Sequence, residues 1–118
     1  MDVQDRLEIK VLEARGLEYQ GSKPNTYVQL RVGFDFRNTN VIQESDVPKW
    51  RTKPFIFNSI LASQCDTVLV NIYHRDSFQR KDVDLGMICL PLDTYLSSPK
   101  VEFRYFLFFF LFSFFKKN

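Results

Sequence analysis

Short stretches in which apolar and polar residues alternate recur along the first 91 residues, and this alternation constrains the fold more than any other feature. Successive side chains of a β-strand point to opposite faces, so such a stretch predicts a strand with one buried face. We predict strands at 7–11, 26–32, 36–42, 55–57, 67–73 and 85–91, with another at 102–107. Turn-forming residues separate them, and no stretch predicts a long amphipathic helix. The pattern predicts an all-β, antiparallel β-sandwich.

Composition narrows the class of protein further. The 118 residues are enough for one domain. Cys65 and Cys89 are too few for a disulfide framework, and no Cys-x-x-Cys pair predicts a zinc site. Residues 1–6 are polar and lack the apolar run of a secretory signal, which favours a cytoplasmic location. A formal net charge of +2 gives no general attraction for nucleic acid.

Catalytic signatures are missing from the sequence. Glycine-rich phosphate-binding motifs and the His-Glu-x-x-His zinc motif are absent, and His74 is the one histidine of the chain. A base and a nucleophile would have to come from His74 with Ser77 or Asp76, within one predicted polar loop and without an oxyanion-stabilising group. We therefore expect that the domain is not an enzyme.

Five short motifs follow one another between residues 7 and 96. They are LEIKVLEARGL at 7–17, NTYVQL at 25–30, Pro-Lys-Trp at 48–50 before Phe-Ile-Phe at 55–57, VLVNI at 68–72 before Asp-Leu-Gly at 84–86, and Leu-Pro-Leu at 90–92. In this order they resemble the motifs of C2 domains, the membrane-docking sandwiches first described in protein kinase C. The stretch at 24–30 is also similar to C2 domains of presynaptic priming proteins and of extended synaptotagmins. The resemblance implies a C2-type Greek-key β-sandwich of seven or eight strands.

The resemblance also implies a calcium site, most of which this sequence has lost. Calcium-binding members use about five aspartates from two loops, since a hard cation takes six to eight oxygens. Tyr19 and Gln20 stand at the first of these positions, and Arg75 adds a positive charge beside a later one. The positions that retain a side-chain oxygen are Asn25, Asp76, Asp82 and Asp84. We expect no calcium binding at physiological concentrations and no other cofactor.

Basic residues and one loop aromatic form the candidate binding surface. The resemblance implies a basic face for anionic headgroups, where each Lys or Arg contributes about 1 kcal/mol. The candidates are Arg31, Arg37, Lys49, Arg51, Lys53, Phe78, Arg80 and Lys81. Phe78 either inserts at the membrane interface or packs under its loop. Anionic phospholipids are the predicted partner, at the periphery of a membrane; the alternative is a protein partner, including a second copy of the chain.

The C-terminal segment differs from the rest, because eight of the 13 phenylalanines lie between 103 and 115. The aromatic run at 105–115 is too short for a membrane-spanning helix, which needs about 18–20 residues. Three interpretations remain. The run is an eighth strand that lacks the usual alternation, or an interfacial anchor with Lys116 and Lys117 at the headgroups. Alternatively, it is the translation product of a pyrimidine-rich nucleotide tract, with no residue pattern suited to packing. We place the C2-like domain at 1–107 and the Phe-rich tail at 108–118, and we expect a chain ending near 107 to be more soluble.

Overall fold

Eight β-strands form the structure, a computed structural model that describes residues 5–60, 67–76, 78, 81–91, 100–105 and 109–117, with side chains for 8–57, 67–76, 78 and 81–91. The strands are β1 Asp5–Arg15, β2 Thr26–Val32, β3 Asp35–Asn38, β4 Phe55–Ile60, β5 Thr67–Asp76, β6 Lys81–Pro91, β7 Lys100–Tyr105 and β8 Phe109–Lys117. Within these ranges no helix is long and apolar enough to cross a membrane. The predicted all-β class is confirmed.

The strands form two four-stranded sheets. Sheet I has the order β4-β1-β8-β7, and sheet II has the order β3-β2-β5-β6. Every pairing between neighbouring strands is antiparallel. Because β1 and β2 follow one another in the chain but lie in different sheets, the chain crosses between the layers of an antiparallel sandwich, as predicted.

The core lies between the two sheets and follows the alternation in the sequence. Along β5 the side chains of Val68, Val70 and Ile72 are fully buried, while the residues between them are partly exposed. The matching face of β2 packs on the same core, as predicted for residues 28, 30 and 32. Sheet I contributes Ile9 and Val11 from β1. Full burial of such a side chain stabilises the fold by about 1.5–3 kcal/mol.

The strand bounds differ from the prediction at several places, most clearly in the β5–β6 hairpin and in β3. The stretch from His74 to Asp84 was expected to be a polar loop, but β5 continues to Asp76 and β6 begins at Lys81, so only residues 77–80 connect them. Backbone pairing does not need apolar side chains, and the polar side chains here find partners across the hairpin. The predicted strand at 36–42 is shorter, since β3 ends at Asn38.

The Phe-rich segment supplies a strand of sheet I. β8 lies between β1 and β7 and pairs with both. Phe112 is the register partner of Val11, and Phe114 is the register partner of Ile9; both β1 side chains are fully buried. Of the three interpretations, the backbone therefore takes the eighth-strand position. The domain boundary at 107 stays a prediction.

Removal of residues 108–118 is expected to unfold or aggregate the domain, contrary to the solubility expected from sequence alone. Without β8, neighbouring edges of β1 and β7 would lose their backbone partners and become templates for association. The loss would be comparable with the whole stability of a small domain, about 5–15 kcal/mol. Urea unfolding followed by circular dichroism, with light scattering, would measure it.

A single substitution tests the same point at full length. Ser113 pairs with both Lys10 and Glu102, so Ser113→Pro would remove a ladder hydrogen bond from the middle of sheet I. We expect this variant to be severely destabilised and Ser113→Thr to be near neutral. A soluble chain of residues 1–107 with unchanged unfolding would contradict the strand assignment.

Candidate functional site

One end of the sandwich, here named the loop end, gathers the residues that the C2 resemblance singles out. It comprises the segments 16–25 and 43–48 together with Asp76, Phe78 and Lys81. Asn25 joins these segments, because its backbone carbonyl accepts the N–H of Arg75 at 2.8 Å and its side-chain Oδ1 accepts the N–H of Glu44, also at 2.8 Å. The oxygen of Asn25 that would face a metal ion is thus used to hold a neighbouring loop.

His74 has a structural position at the loop end. Its side chain is buried, and its Nδ1 accepts the backbone N–H of Asn25 at 3.0 Å. Its ring lies 4.6 Å from the ring of Tyr19, measured between centroids. Since Nδ1 is an acceptor, the neutral imidazole carries its proton on Nε2. The residue therefore packs the first loop against β5.

The remaining carboxylates are divided between the two faces of the β5–β6 hairpin. Asp82 and Asp84 lie two residues apart in β6 and share one face, whereas Asp76 pairs with Lys81 and so lies on the other. Asp76 accepts the backbone N–H of Phe78 at 3.0 Å, and Asp84 accepts the N–H two residues further on at 2.9 Å. Within the described ranges no group of three or more His, Cys, Asp or Glu could hold a metal ion. These residues do not fit the six to eight oxygens that calcium takes.

Asp82 belongs instead to a cluster of side chains that fastens the hairpin to β2. The Tyr27 hydroxyl donates to Asp82 Oδ2 at 2.5 Å, and Arg75 Nε lies 3.7 Å from Asp82 Oδ1. The Arg75 guanidinium lies over the Tyr27 ring at 5.1 Å, and Tyr73 stacks on that ring at 5.4 Å. Burial, followed by the hydrogen bond and charge of Asp82, raises the pKa of Tyr27 to about 12.

Phe78 stands at the tip of the hairpin with 98% of its side chain exposed. Of the two positions expected for it, the structure shows the solvent-facing one. Lys81 is also exposed and begins β6. Arg80, the other predicted base of this loop, lies outside the described residues.

The two arginines predicted for a basic strand face point to opposite faces of sheet II. Arg31 is exposed on the outer face. Arg37 is the register partner of the buried Leu30, so its side chain lies on the inner face of the sheet. Its strand, β3, is at the edge of sheet II. Its guanidinium is 5.1 Å from the centroid of the Phe57 ring, and its NH1 is 3.0 Å from Asp35 Oδ1.

The other three predicted cations lie in the segment 49–53, which runs beside β1 and precedes β4. Lys49, Arg51 and Lys53 are exposed. The segment is held to sheet I because the N–H groups of Trp50 and Arg51 both donate to the carbonyl of Leu12, at 2.9 and 3.1 Å. The described basic residues are thus spread over the hairpin, the two faces of sheet II and the segment 49–53. Lys10 and Arg51 line one groove, a proximity that was not predicted. Nothing in the linear sequence signals that proximity or the Tyr27–Asp82 bond, because both depend on strand register.

The Tyr27 hydroxyl provides a pH-dependent test of the cluster. A folded-state pKa near 12, above the usual 10, means that the stabilisation is complete below pH 10 and is lost as pH rises toward 12. We expect Tyr27→Phe to lower the free energy of unfolding by about 1–3 kcal/mol at pH 8. The difference from the native chain should shrink above pH 10, as measured by urea unfolding at each pH.

Asp82→Asn is the matched variant, since it keeps an oxygen acceptor and removes the charge. In that background the effect of Tyr27→Phe should be smaller and less dependent on pH. A difference between native chain and Tyr27→Phe that stays constant through pH 12 would show that the bond is not made.

Comparisons with known proteins place this fold. The structure is similar to human GIVD cytosolic phospholipase A2 (TM-score 0.82, 18% identity, covering 98% of this chain and 17% of that chain). It also resembles a structure of two C2 domains of extended synaptotagmin 2 (0.78, 21%, 96% and 39%) and a structure described only as a C2 domain (0.80, 18%, 97% and 99%). The chain thus spans about a sixth of the phospholipase chain, and these identities show the fold alone.

Sequence comparison leads to the same family. No curated protein matched this chain closely enough to count as a relative. A scan against family models matches residues 5–107 to the C2 domain. This match covers most of the chain, and it includes all five of the motifs from which the resemblance was inferred. The chain belongs to the C2 domain family.

Proposed function

We propose that this domain is a non-enzymatic, calcium-independent module that binds peripherally to anionic phospholipid membranes from the cytoplasmic side. The observation that carries the proposal is Phe78, which is 98% exposed at the tip of the β5–β6 hairpin. Moving a phenylalanine side chain from water to an apolar environment is favourable by about 1.5–3 kcal/mol. The exposed Lys81 beside it adds about 1 kcal/mol near an anionic surface.

The hairpin is held firmly enough to present this side chain to a membrane. The Arg75 N–H bond to Asn25 ties the end of β5 to the first loop, and the Tyr27–Asp82 bond ties the start of β6 to β2. Because the two strands that carry the tip are already held in place, little conformational entropy of these strands is lost on binding.

Calcium independence is supported by the way in which the remaining oxygens are used. A cation recruited to Asp82 would compete with the Tyr27 hydroxyl and with the Arg75 guanidinium, both already in contact with that carboxylate. Asp76 lies on the opposite face of the hairpin from Asp82 and Asp84. Binding would therefore require loss of internal contacts as well as movement of a strand.

A protein partner is the second candidate, favoured by the outer face of sheet II. Phe36 and Met87 expose 54% and 60% of their side chains there, and Cys89 is exposed nearby on β6. This face also carries Arg31. Exposed aromatic, methionine and arginine side chains are enriched at protein interfaces.

Vesicle flotation tests the membrane proposal. We expect the chain to float with phosphatidylserine-containing vesicles equally well in calcium and in a chelator, and poorly with phosphatidylcholine alone. Phe78→Ser should weaken binding by about tenfold or more, as its transfer energy implies. Lys81→Gln should weaken it by a few fold.

Phe34→Ser is the matched control for the aromatic tip. Phe34 is 102% exposed in the turn after β2. It lies at the end of sheet II opposite to Phe78, because β2 begins beside His74, at the end of β5, and finishes beside Val68, at the start of β5. It should leave flotation unchanged. Equal losses in both variants, a requirement for calcium, or a dimer that binds no vesicle would each contradict the proposal, the last in favour of a protein partner.

A further inference from the structure

A groove of about 370 Å³ lies beside β1. It is lined by Lys10, Leu12, Glu13, Arg51 and Thr52. Its volume is at the lower end of the range for small-molecule sites, about 300–1,000 Å³. Its lining combines two cationic side chains with one carboxylate, so it is neither a simple anion site nor a simple cation site.

A β-bulge in β1 and the segment 49–53 together form this groove. The register of β1 against β8 shifts between Val11 and Glu13, which leaves Leu12 as the extra residue. The Leu12 carbonyl accepts the Arg51 N–H at 3.1 Å, and the Thr52 hydroxyl oxygen accepts the Val11 N–H at 3.0 Å. Bulges re-aim side chains next to functional sites. The part of β1 that lines the groove is thus hydrogen-bonded to the segment that carries Arg51 and Thr52.

Arg51 is held in a backbone conformation that disfavours an arginine. Its φ is +43°, in the left-handed region that glycine adopts without strain. The hydrogen bonds to Leu12 hold the segment in this shape. Because glycine adopts this φ with less strain, backbone stability does not explain the presence of an arginine at position 51. Backbone strain of this kind is found preferentially at functional sites.

Glu13 brings an unused acceptor to the groove. Only 17% of its side chain is exposed, and its Oε1 lies 3.5 Å from Arg15 NH2. Its Oε2 is buried and has no hydrogen-bond partner among the described residues. Buried polar atoms normally have a partner, so a ligand that carries a hydrogen-bond donor would complete this carboxylate.

We propose that the groove binds a small zwitterion that carries a phosphate and an ammonium group, of the phosphoethanolamine or phosphoserine type. Lys10 and Arg51 receive the phosphate through charge-assisted hydrogen bonds, and Glu13 Oε2 accepts from the ammonium group. A ligand with only one of these charges would be repelled by the opposite part of the lining. The site lies on sheet I and does not depend on the membrane-binding tip at Phe78.

Calorimetric or NMR titration of the full chain tests this site. Phosphoethanolamine should bind saturably, and inorganic phosphate or ethanolamine alone should bind about tenfold more weakly, since each lacks one charged contact. Glycerophosphoethanolamine, the diester form found in lipid headgroups, separates the two sources of the ligand. Binding equal to that of the monoester identifies a lipid headgroup, and weaker binding identifies a free phosphomonoester; both support the site.

Three variants assign the roles of the lining residues. Glu13→Gln should reduce phosphoethanolamine binding to the level of phosphate and leave phosphate binding unchanged or stronger. Arg51→Gly should reduce binding of both by about tenfold while the urea midpoint stays the same or rises, because glycine relieves the positive φ. Arg51→Lys keeps the charge and should retain most of the affinity. The control Lys23→Gln, at an exposed residue of the first loop, should change nothing.

Equal affinity for phosphate and phosphoethanolamine in both the native chain and Glu13→Gln would overturn the proposal, and so would the absence of saturable binding. Phe78→Ser separates this site from the proposed membrane function. It should weaken flotation as described above but leave phosphoethanolamine binding intact. Loss of soluble binding in Phe78→Ser, with the fold preserved, would contradict the independence of the two sites.

Discussion

The antiparallel pairing of β2 with β5 is the constraint on which sheet II and the loop end depend. Its register sets Val28 opposite Ile72 in the core and Tyr27 opposite Tyr73 on the outer face. The same register brings the start of β2 to the end of β5, where Asn25 bonds to Arg75. A shift of one residue would exchange the two faces. The same strand register therefore positions both the core residues and the residues of the loop end.

At the loop end, the described carboxylates have partners within the protein. The Tyr27 hydroxyl and the Arg75 guanidinium satisfy Asp82, and the backbone satisfies Asp76. A hydrogen bond to a carboxylate is stronger than one between neutral groups, so this network holds the hairpin without a cation. The exposed side chain of Phe78 at the tip of this hairpin is the feature on which the proposed membrane contact rests.

The distribution of positive charge separates the domain into surfaces with different chemistry. Arg37 is engaged with Asp35 and Phe57 at the sheet edge, whereas Arg51 lines a groove on the other sheet. The formal net charge of +2 thus says nothing about the local surroundings of each arginine. Counting basic residues along the chain gives the strength of the long-range attraction but not the place where a headgroup is recognised.

The sequence alone determined the fold class, the C2 family and the core faces of β2 and β5, because alternation and motif order are local properties of the chain. It also identified Phe78 as the aromatic of the third loop. Only the tertiary structure decided that Tyr27 bonds to Asp82 and that Glu13 and Arg51 line one groove. It also placed Phe109–Lys117 in sheet I as the neighbour of β1. These outcomes depend on register between distant strands, which no local pattern specifies.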